Sequence, residues 1–440
     1  MPTHHLRNIE LHDLYGRLSY NIPVNHSQDE STGLAILFGD NGCGKTTLLN
    51  LLHHSLSPAP RANHRTSLSK IPFKYFKVDL SSNISITISK PNVDSRDYTI
   101  VVTSDNIEEF QLKYGTIESE RDQVAADEYS NLLKRYGINI SMLTADRLSL
   151  YKSRRRLKSS RDGEVWFHEI NDPDSTISVD HYLEGATRWA QRAIIESLNE
   201  GQVSTERIYL DVAKKLLSPL KIINDENELS VDNFKTSLYD VKYRLNHSSD
   251  FGLVPSKTAL DTIELAINAN DYNMQQLAGI LSPFINGLSA RLDAITQIES
   301  VISTFVNTLS DFIIDKQITF DRKNGFGIEL TDSRKPISAT QLSSGEQQLL
   351  IMFCNVLMKR DSGGVLIVDE PELSLNPQWQ RRLIDSLIKC AQYARIQFVL
   401  ATHSTAILAQ HKVSSVEMRI DRAKQLNRDL GHGDTSLFNS

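Results

Sequence analysis

The sequence predicts an α/β fold, in which a core with a parallel or mixed sheet and a flanking antiparallel sheet is split by an α-helical insertion. Three observations lead to this prediction. An apolar run of strand length, Leu34–Phe38, passes through a glycine-rich turn into an apolar helix. Residues 180–315 have the helical spacing of apolar residues, and strands return from Lys316 onward. This order indicates one core that is interrupted by an insertion.

The first part of the core, residues 1–178, is predicted to be rich in strands. Its early helix covers Thr46–Leu52. Three later segments alternate apolar and polar residues as half-buried strands do, at Phe73–Leu80, Ile84–Ile88 and Tyr98–Thr103. Because short polar turns connect these segments, we expect an antiparallel sheet beside the core.

The insertion is assigned to residues 179–315, and the second part of the core to residues 316–440. No heptad pattern persists beyond about three repeats, which argues against a long coiled coil. Helices of the insertion are predicted at Tyr182–Leu198, Thr205–Leu220, Thr258–Ala269 and Leu288–Phe312. In the second part of the core, strands are predicted at Ile318–Asp321, Ile328–Leu330, Val365–Val368 and Gln397–Leu400, with helices at Gly345–Lys359 and Gln378–Cys390.

The composition of the 440 residues is that of an ordinary globular protein, with 40% hydrophobic and 23% charged residues, which excludes wholesale disorder. A net charge of −6 means that any contact with nucleic acid needs a local basic patch. Cys43, Cys354 and Cys390 are too scattered for a disulfide framework and fit a reducing compartment. No apolar run approaches the roughly 18–20 residues that span a bilayer. We therefore expect a cytoplasmic protein that does not enter the membrane.

The glycine-rich turn Gly39–Thr46 carries the complete Walker A pattern between a predicted strand and a predicted helix. Backbone amides of such a turn surround phosphate oxygens, and the helix N-terminus adds the positive end of its dipole. Lys45 is expected to reach the β- and γ-phosphates of ATP, and the Thr46 hydroxyl to bind Mg²⁺. The predicted ATP-binding residues of this turn are Asn41, Gly42, Cys43, Gly44, Lys45, Thr46 and Thr47.

The apolar strand Val365–Val368 ends in two acidic residues, the arrangement called Walker B. Asp369 is expected to hold Mg²⁺ together with Thr46, and Glu370 to polarise the attacking water. An acidic strand end can also serve only as a helix cap. Its position downstream of a P-loop favours the catalytic interpretation.

Two further motifs follow the same logic. Leu342–Gln347, with the sequence Leu-Ser-Ser-Gly-Glu-Gln, precedes a predicted helix, and a buried strand leads into His403. The four motifs occur in the order found in ABC-type ATPases, and the chain resembles that superfamily over residues 1–150 and 316–410. The run that begins at Asp369, DEPELSLNPQWQ, resembles the corresponding stretch of the Rad50/RecF-like and OLD-like branch, except that Asn376 stands where that branch usually has histidine.

The resemblance implies that two ATPase domains face each other. Ser343 and Gly345 of one copy would contact ATP that is held by Lys45 of the other, and His403 would sense the γ-phosphate. It thus implies at least a homodimer, possible higher homo-oligomers, and ATP with Mg²⁺ as cofactors. The predicted catalytic residues are Lys45, Glu370 and His403. For the glutamine of the family's Gln loop, the candidates are Gln111 and Gln123.

Two basic features carry open alternatives. Arg147 ends a stretch that resembles the strand-end Ala-x-Arg of OLD-like ATPases, and it faces either nucleotide, a partner subunit or solvent. The segment Lys152–Arg161 has six basic residues in ten. It is a DNA-backbone contact, a docking site for an acidic protein, or a solvated loop.

The leading functional hypothesis is an ATPase that acts as sensor or scaffold subunit of a bacterial anti-phage defence complex. It rests on resemblance to the ATPases of PARIS-, Septu- and retron-type systems. Because no nuclease motif is visible in the chain, a separately encoded nuclease or toxin effector is expected as partner. The main alternative is a RecF/Rad50-like ATPase of DNA repair or chromosome maintenance. A transporter ATPase is a further alternative, although the insertion is far larger than the helical subdomain of a transporter ATPase.

Overall fold

The computed structural model describes residues 4–26, 32–59, 63–115, 120–144, 178–197, 231–247, 257–268 and 271–419. The chain forms two compact units, one of Met1–Val179 with Leu342–Ser440 and one of Asp180–Gln341. The predicted helix Thr205–Leu220, Arg147 and the basic segment Lys152–Arg161 lie outside the described residues. Within the described ranges, no helix has both the length and the apolar character needed to cross a membrane.

The helices, in chain order, follow the predicted positions but also include segments that periodicity did not reveal. The sequence predicted one early helix in the first part of the core, whereas the described residues there contain three. The ranges are α1 (Lys45–Leu56), α2 (His64–Lys70), α3 (Glu120–Arg135), α4 (179–197), α5 (Val231–His247), α6 (Lys257–Ile267), α7 (Asp271–Ser310), α8 (Ser344–Lys359), α9 (Pro377–Ala391) and α10 (Thr405–Gln410).

A parallel sheet forms the centre of the first unit. Its strands are β3 (Asn25–His26), β4 (Thr32–Phe38), β9 (Ile140–Leu143), β12 (Gly364–Asp369), β13 (Ile396–Thr402) and β14 (Ser415–Glu417). The spatial order is β14-β4-β13-β12-β9, all neighbours running parallel, with β3 antiparallel to β4. Both β12 and β13 are buried along their whole length, as strands inside a parallel sheet are. The carboxyl ends of β4, β13 and β12 therefore meet at one edge.

An antiparallel sheet accompanies it in the same unit, as the sequence predicted. Its strands are β1 (Leu6–Leu14), β2 (Leu18–Pro23), β5 (Tyr75–Leu80), β6 (Ile84–Ser89), β7 (Tyr98–Ser104) and β8 (Ile107–Tyr114). The spatial order is β2-β1-β5-β6-β7-β8, and alternate residues of β5 and β6 are buried. One continuous hydrophobic cluster includes Ile9 and Ile86 of this sheet and Ile367 of the parallel sheet.

The second unit contains helices α5–α7 around their own hydrophobic cluster, which includes Phe234, Leu238 and Leu292. Helix α7 has 40 residues with Pro283 inside it, and it begins well before the predicted start at Leu288. A hairpin of β10 (Lys316–Asp321) and β11 (Gly325–Leu330) follows α7 and belongs to this unit, although the sequence analysis placed it in the second part of the core. Its tie to α7 includes a hydrogen bond of 3.1 Å from the Ile318 amide to Ser310 Oγ.

Gln397, in β13 of the parallel sheet, hydrogen-bonds to the backbone of β1 in the antiparallel sheet and so links the two sheets. The side chain is 1% exposed, its Oε1 accepts the Leu6 amide at 2.7 Å, and its Nε2 donates to the Leu6 carbonyl at 3.0 Å. Leu6 lies at the start of β1, where the pairing of β1 with β5 is irregular. The amide of Gln397 thus replaces backbone partners that the irregular ladder does not supply.

We expect Gln397→Leu to destabilise the first unit, because the buried Leu6 amide loses its acceptor at a cost of about 1–3 kcal/mol. The measurement is the thermal unfolding midpoint of the full chain. Gln392→Leu, at an exposed position after α9, is the matched control. Equal midpoints for both variants would contradict this role of Gln397.

Candidate functional site

The glycine-rich loop joins β4 to α1 at the carboxyl edge of the parallel sheet. Gly42 and Gly44 have φ angles of 84° and 86°, in the left-handed region that glycine adopts without strain. Gly44 precedes α1, no side chain caps this helix end, and its first turn contains no acidic residue. The first amides of α1 can therefore bind an anion without competition from a local carboxylate.

Lys45 lies inside this loop rather than on its surface, with 7% of its area exposed. Its Nζ donates to the carbonyl of Gly39 at 2.7 Å and to that of Asp40 at 3.0 Å. The ammonium group is thereby held at the centre of the loop. The ammonium group has three N–H donors, so the one near Cys43 Sγ, at 3.9 Å, can turn to a phosphate oxygen while both carbonyl bonds are kept.

A hydrogen bond joins the Walker A threonine to the Walker B aspartate. Thr46 Oγ1 donates to Asp369 Oδ2 at 2.7 Å, although the two residues are 323 positions apart. Asp369 is 5% exposed, and its buried Oδ1 has no hydrogen-bond partner among the described residues. Burial raises the pKa of this carboxyl group, and the Thr46 bond opposes the shift.

These oxygen atoms fit Mg²⁺. A hard divalent cation binds hydroxyl and carboxylate oxygens, and the unpartnered Oδ1 of Asp369 beside the Thr46 hydroxyl supplies such a donor in a buried position. The predicted metal ligands therefore lie together, as a Mg²⁺ site requires.

Glu370 begins the segment after β12 in a strained backbone conformation. Its φ is 52°, which costs energy for a residue other than glycine, and its amide donates to the Ala401 carbonyl at 2.8 Å. About a third of its side chain is exposed, and Oε1 lies 3.7 Å from Nδ1 of His403. The structure thus brings the predicted base and the predicted γ-phosphate sensor together.

Glu372 is a site residue to which the sequence analysis gave no role. It is 5% exposed, and its Oε1 accepts the Thr402 hydroxyl at 2.6 Å and the His403 amide at 2.9 Å. The same oxygen lies 3.4 Å from His403 Nδ1. The imidazole is thus within reach of two carboxylates, those of Glu370 and Glu372. The Pro371-Glu372 pair after Walker B was the sequence signal for this residue.

Ser343 and Gly345 lie at the start of α8. Ser343 forms a reciprocal capping box with Glu346: its amide donates to Glu346 Oε2 at 2.7 Å, and its Oγ accepts the Glu346 amide at 3.5 Å. Gly345 is buried, and a Cβ there would lie 2.6 Å from the Ser374 carbonyl oxygen. The contacts of both residues thus run to their own helix and to the segment after Walker B. Their contact with ATP of a second copy stays a prediction.

Asn376, which departs from the family pattern, caps α9. Its Oδ1 accepts the Trp379 amide at 2.9 Å, with Pro377 in the first turn. In α9, Gln380 donates to the Leu375 carbonyl at 2.9 Å and accepts the Ser404 hydroxyl at 2.7 Å. The segment after Walker B and the segment after His403 are therefore tied to one helix.

Two tyrosines that the sequence analysis did not select support the glycine-rich loop. Tyr20 donates to the Cys43 carbonyl at 2.8 Å, and burial raises its pKa to about 12. Tyr15, with a φ of 53°, has its hydroxyl 2.9 Å from Thr47 Oγ1.

The remaining candidates are Asn41 of the loop and the two glutamines considered for the Gln loop. Asn41 is exposed in the loop. Of the two Gln-loop candidates, Gln111 lies exposed on β8, and Gln123 lies in α3.

The loop, the Thr46–Asp369 bond, and the paired Glu370 and His403, which follow β12 and β13, define a P-loop nucleotide-binding domain. The chain belongs to the AAA_21 family, described as "AAA domain, putative AbiEii toxin, Type IV TA system", which matches residues 34–409.

Similar proteins include two that are named retron ATPases. The chain is 24% identical over 409 residues to the "Retron Ec83 probable ATPase" of Escherichia coli, a match that covers 84% of this chain and 64% of that protein. It is 20% identical over 440 residues to the "Retron Vc95 probable ATPase" of Vibrio cholerae serotype O1 biovar El Tor, covering 94% and 73%. The chain thus spans about two thirds of the length of these relatives.

Similar solved structures include Smc head domains. One, from Pyrococcus furiosus, has an extended coiled coil and is bound to the C-terminal domain of ScpA; it is 12% identical, with a TM-score of 0.43 and coverage of 98% of this chain and 100% of that one. Another, an Smc head bound to the C-winged helix domain of ScpA, is 11% identical, with a TM-score of 0.42 and coverage of 96% and 99%.

The α/β fold class predicted from the sequence is confirmed. The chain has both predicted sheets, and a helical segment separates the two halves of the core in the sequence.

We expect Glu372→Gln to lower kcat for ATP hydrolysis by about tenfold or more, or about 1.4 kcal/mol, with little change in KM. Glutamine keeps an oxygen that accepts from Thr402 but removes the negative charge beside the imidazole of His403. The measurement is steady-state ATPase activity across pH, because a change in that charge must also shift the pH profile.

The matched control is Asp385→Asn, which removes an exposed carboxylate 3.7 Å from another histidine, His411. If both variants keep wild-type kcat and the same pH profile, Glu372 does not position His403.

Proposed function

We propose that this chain is the ATP-binding and ATP-hydrolysing subunit of a retron-type anti-phage defence system, in which it controls a separately encoded nuclease or toxin effector. The observation that carries the proposal is the joining of Walker A and Walker B by the Thr46–Asp369 bond, with Glu370 and His403 at the same edge. Similarity to two retron ATPases supports the defence role.

The residues divide the work of hydrolysis. Lys45 and the first amides of α1 bind the β- and γ-phosphates. Thr46 and Asp369 would hold Mg²⁺, which offsets phosphate charge when it is bound. Glu370 orients the attacking water and accepts its proton, so that the water oxygen bonds to the γ-phosphorus as the bond to the leaving ADP oxygen breaks.

His403 orients Glu370 and the γ-phosphate. Its ring lies between the partly exposed carboxylate of Glu370 and the buried carboxylate of Glu372. Because the main-chain amide of His403 is also fixed by Glu372, the ring starts from a defined position. Movement of the γ-phosphate on hydrolysis changes the partners of this ring, which gives the protein a nucleotide-dependent signal for a partner.

Assembly as at least a dimer fits the distribution of motifs. Each chain has one P-loop and one Ser-Gly-Glu turn. Ser343 and Ser344 are exposed at the N-terminal end of α8, whose dipole favours an anion. We propose that this end of one copy meets the γ-phosphate held by another copy, so that ATP closes the assembly and hydrolysis opens it.

A DNA repair or chromosome-maintenance ATPase is the second candidate. The basic segment Lys152–Arg161 favours it, since a cluster of cations can bind the phosphate backbone. The same segment would let a defence ATPase sense DNA or dock an acidic effector.

The test uses the full set of neighbouring genes in cells that are challenged with phage. Lys45→Ala is expected to lose ATP binding and protection, because the phosphate charge loses its cation.

Glu370→Gln is expected to bind ATP but to lose turnover, because the attacking water loses its base while the phosphate contacts remain. This variant should accumulate an ATP-dependent dimer in size-exclusion chromatography. Glu108→Gln, an exposed acid on β8, is the matched control.

The outcomes separate the parts of the proposal. If Glu370→Gln hydrolyses ATP as fast as wild type, another residue is the base. If ATP turnover is lost in both variants but protection persists, the chain is an ATPase whose activity does not serve defence.

A further inference from the structure

Three histidines meet at the end of α1 that lies away from the glycine-rich loop. His53 and His54 belong to the last turn of α1, and His64 begins α2. The Nδ1 atoms of His54 and His64 are 2.9 Å apart, and one ring nitrogen of each histidine lies within 4.8 Å of the others. His53 and His64 are buried, and His54 is half-buried.

We propose that His53, His54 and His64 bind a divalent transition metal of the Zn²⁺ class. Zn²⁺ binds imidazole nitrogen at about 2.0–2.1 Å with tetrahedral geometry, which places ligand nitrogens roughly 3.3–3.4 Å apart. The His54 and His64 Nδ1 atoms, at 2.9 Å, need to separate only slightly to reach that value, and a nitrogen of each of the three rings lies within 4.8 Å of the others. Small rotations of the rings therefore suffice, with one position left for water or an anion.

The donor atoms select the class of metal. An all-imidazole site suits Zn²⁺, Cu²⁺, Ni²⁺ or Co²⁺, whereas Mg²⁺ requires oxygen ligands. Because the rise of an α-helix is about 1.5 Å per residue, His54 lies roughly 12 Å along α1 from Thr46. The proposed site is thus chemically and spatially distinct from the Mg²⁺ site of Thr46 and Asp369.

The charges around the cluster are compatible with a cation. The C-terminal end of α1 carries the negative end of its dipole. The Arg65 guanidinium also lies against this end. It donates to the carbonyls of His54 at 2.7 Å and Ser57 at 3.2 Å and lies 4.4 Å from the Tyr129 ring centroid. It is thereby directed at the backbone, while the imidazoles face one another. Because three imidazoles are neutral and the Arg65 guanidinium is positive, an anion such as hydroxide or chloride is favoured as the fourth ligand of the metal.

A purely structural cluster is the competing explanation. One imidazole of the His54–His64 pair can donate to the other, and the rings of His53 and His64 make an edge-to-face contact with centroids 5.2 Å apart. This arrangement needs no metal. The third histidine within ligand distance of the pair favours the metal, and the two explanations differ in what the purified protein binds.

The test titrates Zn²⁺ alone into the full-length chain after treatment with chelator, in excess Mg²⁺ so that the oxygen site is occupied. We expect one equivalent of Zn²⁺ per chain and a Zn²⁺-dependent rise of the thermal unfolding midpoint. His54→Ala and His64→Ala should each weaken Zn²⁺ binding at least tenfold and abolish the rise. The matched control, His12→Ala, removes an exposed histidine that pairs with Glu10 and should bind as wild type.

X-ray absorption of the Zn²⁺-loaded wild-type protein tests the site without any variant. We expect nitrogen or oxygen ligands at about 2.0–2.1 Å with imidazole scattering and no sulfur near 2.3 Å. Failure to bind a stoichiometric Zn²⁺, sulfur ligation, or equal affinity in the His54, His64 and His12 variants would overturn the proposal. The cluster is then a packed, hydrogen-bonded group of histidines.

Discussion

The hydrogen bond between Thr46 and Asp369 is the interaction on which the rest of the site depends. Thr46 follows β4 and Asp369 ends β12, and these strands do not touch, because β13 lies between them. The bond therefore forms only when both halves of the core build one parallel sheet. The register of that sheet pairs Asp369 with Ala401 and Phe38 with Thr402. The glycine-rich loop, the Walker B acids and His403 therefore leave the sheet at nearly the same height along the strands.

Buried acids hold the edge of the sheet in place. Asp369 and Glu372 are each 5% exposed, and each keeps one carboxylate oxygen without a hydrogen-bond partner among the described residues. Burying such a group costs free energy, which hydroxyl and amide donors only partly offset. Energy spent in this way, together with the strained φ of Glu370, is typical of a site that is organised before its ligand arrives. The Glu370 side chain, which must meet water, stays partly exposed.

Much of the core could be predicted because strands inside a parallel sheet are continuous apolar runs. That pattern located β4, β12 and β13. The Walker A pattern after β4 pointed to Lys45, and the polar residues at the ends of β12 and β13 pointed to Asp369 and His403. In the antiparallel sheet, alternation located β5, β6 and β7 but not the other strands. Strand β8, on the sheet edge, is mostly exposed, and polar residues break the alternation of β1, whereas β2 alternates over only six residues.

The features that were missed arise from contacts between distant residues. Gln397 looks like an ordinary strand residue until the buried Leu6 backbone is seen beside it. Glu372 looks like a surface acid, although its neighbours Thr402 and His403 are supplied by another strand. In the second unit, α7 begins at Asp271 rather than at the predicted Leu288 and continues through Pro283, because packing of the helix outweighs one lost backbone bond.

The most direct test of the central claim is a double-mutant cycle on Thr46→Val and Asp369→Asn, read as the affinity for ATP with and without Mg²⁺. If the two side chains form one Mg²⁺ site, the double variant should bind ATP only slightly more weakly than the single variant that has the larger loss of affinity. The coupling free energy between the two substitutions is then about 0.5–3 kcal/mol. That coupling should disappear when Mg²⁺ is removed by chelator. Additive losses, or losses that are equal with and without Mg²⁺, would contradict the account.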